Sequence, residues 1–139
     1  MAIIDEAFKG KPEPCHVIDA HTHLCPYVMN GWHQLDEQTS HEKVVSFIKN
    51  LGIDRIVTSP HPMIIGHMQE ANLIAGRAAD AFPGIVYGYI TVVPLCGLEE
   101  VRAELNRYAG NPRFVGLKFL SGYHGELLRK ECLDRKSVV

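Results

Sequence analysis

Two histidines, His21 and His23, stand two residues apart at the end of the apolar run Val17-Ile18-Asp19-Ala20. In an extended strand, positions i and i+2 point to the same face, so both imidazoles can reach one metal ion. Neutral imidazole suits zinc, iron, manganese or nickel, and strand ends in parallel α/β proteins leave such an ion an open position for water. The pair therefore leads to the expectation of a divalent metal in an enzyme site that takes a small-molecule substrate. Asp19, two residues before His21, is a candidate catalytic carboxylate that could touch the metal or orient a ligand, although a carboxylate that bonds a backbone amide fits the same place. Cys25, two beyond His23, could project toward the same ion, but free cysteine is more often simply buried.

The elements that must position these residues alternate along the chain. Cys15 to Ala20 is a short continuous apolar run, as in a strand covered on both faces. Thr39 or Ser40 can cap a helix in which Val44, Val45, Ile48 and Leu51 recur at helical spacing and Gly52 ends it. Ile53 to Thr58 is a second strand, stopped by Ser59-Pro60. Met68 to Phe82 is a second helix with Ala71, Ile74, Ala75, Ala78 and Phe82 on one face, followed by Pro83-Gly84 and a third strand from Ile85 to Val93. Leu98 to Tyr108 presents Leu98, Val101, Leu105 and Tyr108 on one face, and Gly110-Asn111-Pro112 separates it from a fourth strand, Phe114 to Leu120. Such β-α-β-α-β-α-β alternation means parallel strands joined by right-handed crossovers, in an open doubly wound sheet or in part of a closed barrel.

With 139 residues, of which 46% are apolar and 22% charged, the chain fits one globular domain. A net charge of −2 with scattered basic residues lacks the electrostatic footprint of a nucleic-acid binder. No apolar stretch approaches the length of a membrane span, and Met1 to Lys11 is too charged for a signal peptide, so the expected compartment is the cytoplasm. Cys15, Cys25, Cys96 and Cys132 form no Cys-x-x-Cys pair, which argues for reduced thiols rather than a zinc finger or a disulfide framework.

Taken together, Ile18-Asp19-Ala20-His21-Thr22-His23, Ser59-Pro60, Tyr87-Gly88-Tyr89-Ile90-Thr91-Val92-Val93-Pro94, Arg113-Phe114-Val115-Gly116-Leu117-Lys118 and Gly122-Tyr123-His124-Gly125 resemble, in this order, the amidohydrolase-related family of the metal-dependent amidohydrolase superfamily. The resemblance runs from Val17 to Gly125. It implies a partial TIM (β/α)8 barrel of about four parallel strands and three intervening helices, the N-terminal half of a domain that takes roughly 250 residues when closed. It implies a hydrolase of C–N or ester bonds, or a lyase that removes carbon dioxide from a small carboxylate. His21 and His23 would bind the catalytic divalent metal, usually zinc in that family, and the later histidine and aspartate that complete the family's site would fall beyond strand four. Lys118 ends strand four as a candidate catalytic residue. It would be carboxylated to bridge two metals, supply positive charge to a substrate carboxylate, or pair with an acidic neighbour. His61 after strand two and His124 after strand four are candidate substrate-binding residues at the rim. His67, Trp32 and His33 lie in loops on the same side, with Met29 to Gly31 in a candidate flap, whereas His16 and His41 read as ordinary flanking residues.

Residues 1–125 are thus expected to be half of a barrel domain. Residues 126–139 do not continue the family pattern, and Asp134 to Val139 matches the in-frame translation of a short-read sequencing adapter, so a truncated and catalytically incomplete fragment is expected. One rival reading is a polymerase-and-histidinol-phosphatase-like phosphoesterase, which also opens with His-x-His but should carry more early histidines and acids. Another is a small α/β metal- or ligand-binding domain without catalysis. A half barrel would expose two unpaired strand edges and tend to pair with itself, which makes a homo-oligomer an expected partner state.

Overall fold

A computed structural model describes residues 16–24 and 35–124. Cys15, Cys25, Cys132, Trp32, His33, the segment from Met29 to Gly31 and the tail 126–139 lie outside the described residues. Four parallel strands, β1 (Ile18–Thr22), β2 (Arg55–Thr58), β3 (Val86–Val92) and β4 (Phe114–Phe119), form one sheet in the order β1-β2-β3-β4. The connections carry α1 (Glu37–Asn50), α2 (Met68–Ala81) and α3 (Leu98–Tyr108), with 3-10 turns at His61–Ile65 and Pro94–Cys96 and a four-residue helix α4 (Ser121–His124) after β4. The α/β class, the four parallel strands and the three intervening helices are as the alternation implies. Among the described residues no helix is long and apolar enough to cross a membrane.

Helix α1 starts earlier than the sequence suggests. Its N-cap is Asp36, whose carboxylate accepts from the Thr39 amide at 2.9 Å and from the Thr39 hydroxyl at 2.7 Å. Thr39 thus serves the cap from inside the first turn and Ser40 is buried, because an aspartate three residues upstream competes better for the orphan amides. The Thr39 hydrogen bonds hold the Asp36 carboxyl below its ordinary value. At the other end Gly52, at φ 75°, follows the last turn in the left-handed region.

The core lies between the helices and one face of the sheet. Leu24, Val45, Ile48, Ile56, Ala78 and Val86 pack as one cluster, and Ala71, Ile74 and Ala75 of α2 are fully buried beside it. Helix α3 departs from its expected face: Tyr108 is buried and Val101 and Leu105 half-buried, but Leu98 is 64% exposed while Glu104 is buried. Glu104 can enter because Asn72, itself fully buried in α2, donates to its Oε2 at 2.9 Å, and Arg107 pairs with Oε1 at 2.7 Å. Asn72 also bonds both the amide and the carbonyl of Thr91, so one amide group ties α2, α3 and β3 together. On the surface, a two-pronged Arg77–Glu37 pair, 2.7 Å on each prong, joins α2 to α1.

The opposite face of the sheet is concave. The Tyr89 hydroxyl donates to the Ala20 carbonyl of β1 at 3.1 Å, while a Cβ built on Gly116 of β4 would stand 3.3 Å from the same ring. Tyr89 belongs to β3, and in a flat sheet the β1 backbone would lie on the far side of β2, roughly 9.6 Å away at two spacings of about 4.8 Å, too far for a side chain standing upright from β3 to bond. The sheet therefore curls around Tyr89.

Gly88 leaves room for Phe114, since a Cβ at position 88 would lie 2.8 Å from the Phe114 ring and 3.3 Å from Ala75. Gly88→Ala is expected to destabilise the fold by about 1–3 kcal/mol through overpacking, read as a lower urea midpoint with an unchanged slope. His41 is not a flanking residue but lies within α1 at 2% exposure, and its Nε2 finds no partner among the described residues. Burial, aided by the Arg77 charge and opposed by Glu37, holds it below its ordinary value of 6.5. The unfolded chain then takes up a proton that the folded chain refuses, so stability falls as pH drops below 6.5. His41→Met should flatten this slope in urea unfolding followed across pH; an unchanged slope would show that His41 does not set it.

Candidate metal centre

The carboxyl end of β1 is sewn to that of β2 by threonine side chains as well as by the ladder. Thr58 Oγ1 accepts from the Leu24 amide at 2.9 Å, the Ser59 amide donates to the Thr22 carbonyl at 2.9 Å, and Thr22 Oγ1 donates to the Val57 carbonyl at 3.0 Å. Leu24 is thereby drawn into the core at 1% exposure, and alternation turns His23 to the concave side.

There His23 Nδ1 lies 2.7 Å from the Ser59 carbonyl oxygen. A carbonyl only accepts, so Nδ1 carries the hydrogen and Nε2 of the neutral ring keeps its lone pair. That lone pair accepts a hydrogen bond from His21, whose Nε2 is 3.1 Å from His23 Nε2 with the two rings edge to face at 81°, and a metal ion would take the place of this hydrogen once His21 carries its own on Nδ1. Two imidazoles bound tetrahedrally to zinc at about 2.0–2.1 Å hold their nitrogens roughly 3.3 Å apart. The residues present thus fit two adjacent ligand positions of a divalent ion, with a backbone carbonyl orienting one ring as metal-ligating histidines usually require. Among the described residues no group of three histidine, cysteine or acidic side chains assembles a fuller metal-holding set.

Asp19 takes a backbone role. The β1–β2 register shifts between Asp19 and Thr22, and at that irregularity Asp19 Oδ1 accepts from the His21 amide at 2.8 Å. The carboxylate fixes the main chain from which His21 projects. His61, at the start of the 3-10 turn after β2, stacks on His23 with centroids 5.1 Å apart and planes at 29°. Burial, with the neighbouring His23 charge adding to it, lowers the His61 pKa from its ordinary value. Lys118 is opposite Thr91 in the β3–β4 register and two residues beyond Gly116, which places it half-buried on the concave face, with no ion-pair partner among the described residues. His124 ends α4, and its side chain lies outside what is described. His67 pairs with Glu70 at 3.3 Å and lines, with Cys96 and Glu100, a separate cleft of about 320 Å³ at the start of α2. His16 is exposed, 3.5 Å from Asp54.

The structure thus brings His21, His23 and His61 together, gives Asp19 to the backbone, and leaves Lys118 across the concave face. Sequence reading missed Thr58, the Ser59 carbonyl and Tyr89. A threonine-serine pair at a strand end before proline is the one local signal for the first two, and nothing local marks Tyr89, whose role depends on the curl. Comparison with protein-family models, with curated proteins and with solved structures gives no match.

Thr58→Val would leave the buried Leu24 amide without its acceptor. It is expected to cost about 1–3 kcal/mol, seen in chemical denaturation, and to displace His23, seen as altered shifts of its ring protons by NMR. A stable variant with an unshifted His23 would show that the threonine stitching does not position the ring.

Proposed function

We propose that His21 and His23 hold a divalent metal ion, zinc first, at the mouth of a partial (β/α)8 barrel of the amidohydrolase-related type, and that the site serves hydrolysis or nonoxidative decarboxylation of a small carboxylate. The observation that carries the reading is the His21–His23 approach of 3.1 Å between Nε2 atoms, with His23 Nδ1 committed to the Ser59 carbonyl. A doubly wound sheet reverses strand order at its switch point, whereas the order here runs β1 to β4 without reversal around a concave face. Both features support the barrel reading.

A divalent ion held there would supply Lewis acidity and a bound water of pKa near ~7. The chain's own residues do the rest of the arrangement. Asp19 holds the His21 backbone, Ser59 sets the His23 tautomer, and Lys118 offers an ammonium on the same face for a substrate carboxylate. Two imidazoles leave positions for further ligands, which come from water, from substrate or from residues outside the described set.

Zinc titration of the 139-residue chain against a chromophoric chelator tests this. Stoichiometric binding is expected, with His21→Ala or His23→Ala each weakening it more than about 100-fold, beyond the 10–100-fold that loss of a supporting group costs. Zinc binding that survives the double substitution would overturn the site. A chain that binds zinc there yet turns over no hydrolase or decarboxylase substrate would favour a metal-binding domain without catalysis.

A further inference from the structure

His23 and His61 are stacked rings whose surroundings demand opposite tautomers. His23 Nδ1, 2.7 Å from a carbonyl oxygen, must carry hydrogen. His61 Nδ1 is buried and has no hydrogen-bond partner among the described residues. A buried N–H without an acceptor is costlier than a buried lone pair that goes unused, so the hydrogen of neutral His61 belongs on Nε2. Pro60, at φ −59°, leads directly into the turn that His61 begins, which anchors the ring at the rim beside His23.

We propose that His61 is a hydrogen-bond donor whose Nε2–H binds an oxygen of the substrate, a carboxylate or carbonyl, next to the position of the metal ion. The role rests on the metal-site reading above. It follows from the pairing of tautomers: where His23 offers a lone pair, its stacked neighbour offers a hydrogen, so one ring suits a cation and the other an oxygen acceptor. Lys118 across the concave face adds positive charge for the same class of ligand.

Two measurements test it. Long-range proton–nitrogen correlation NMR of the metal-free, ¹⁵N-labelled chain at about pH 8, where histidines are neutral, reads each tautomer directly. The expected result is Nδ1–H for His23 and Nε2–H for His61. The chain is then loaded with cobalt(II) and titrated with acetate, followed by the cobalt absorption bands. His61→Phe keeps a stacking ring without a donor and should weaken acetate binding about 3- to 10-fold, while His61→Gln, which restores a donor, stays within about twofold of wild type. Cobalt affinity should be unchanged in both. An Nδ1–H tautomer at His61, or wild-type acetate affinity in His61→Phe, overturns the donor role alone. Failure of the wild-type chain to bind cobalt overturns the metal-site reading and this role with it.

Discussion

One hydrogen bond, from His23 Nδ1 to the Ser59 carbonyl, sets the character of the candidate site. An imidazole without a fixed partner exchanges its hydrogen between two nitrogens and swings about two bonds. The carbonyl removes both freedoms at the cost of one acceptor. That acceptor is in place only because β1 and β2 run in parallel register and their last residues are cross-bonded through Thr22, Thr58 and the Ser59 amide. The tautomer of a ring at the rim is thus decided by a strand pairing, and the strand pairing by the core beneath it, where Leu24 and Ile56 bury their side chains. Packing, backbone bonding and ligand geometry form one chain of dependence.

The two faces of the sheet do different work. The helix-side face is filled by aliphatic residues, together with one polar network, Asn72 with Thr91 and Glu104, in which a carboxylate is buried because it has partners. The concave face holds histidines, two tyrosines of β3, Tyr87 and Tyr89, and a lysine. Its central member, Tyr89, packs closely over Gly116, where a Cβ would come within 3.3 Å of the ring, and its hydroxyl braces β1. A brace on the strand that carries His21 and leads into His23 matters because, among the described residues, β1 is held by a ladder on one side only.

Element order and type were legible in the sequence because hydrophobic period, glycine and proline punctuate this chain plainly. Leu98–Tyr108 matches its expected bounds, and the four strands fall within a few residues of theirs. The failures have local physical reasons. The α1 cap went to Asp36 because it stands three residues before Thr39, in reach of that amide. Glu104 fell on the buried face because it lies three residues after Val101 and four before Tyr108. Helical spacing pointed there, and only its charge argued against it. At the site, the His21 and His23 pair was visible from spacing alone, but the shift of register between Asp19 and Thr22 was not, since irregular pairing depends on the partner strand.

The electrostatics of the concave face bear on what it would accept. Of the acidic residues near the histidines, Asp19 has an oxygen engaged by the His21 amide. His61 is pressed toward neutrality by burial, and Lys118 contributes an ammonium without an ion-pair partner among the described residues. A pair of neutral ligands cancels none of the charge of a divalent ion, in contrast to thiolate or carboxylate sets. With such an ion held by these two rings, the Asp19 carboxylate offsets one charge and the Lys118 ammonium adds one, so the face stays net positive and an anionic ligand would be drawn to it more than a neutral amide of equal size. This asymmetry favours carboxylate substrates over uncharged ones on the proposed reading, and it follows from which side chains are present and how their hydrogens are placed.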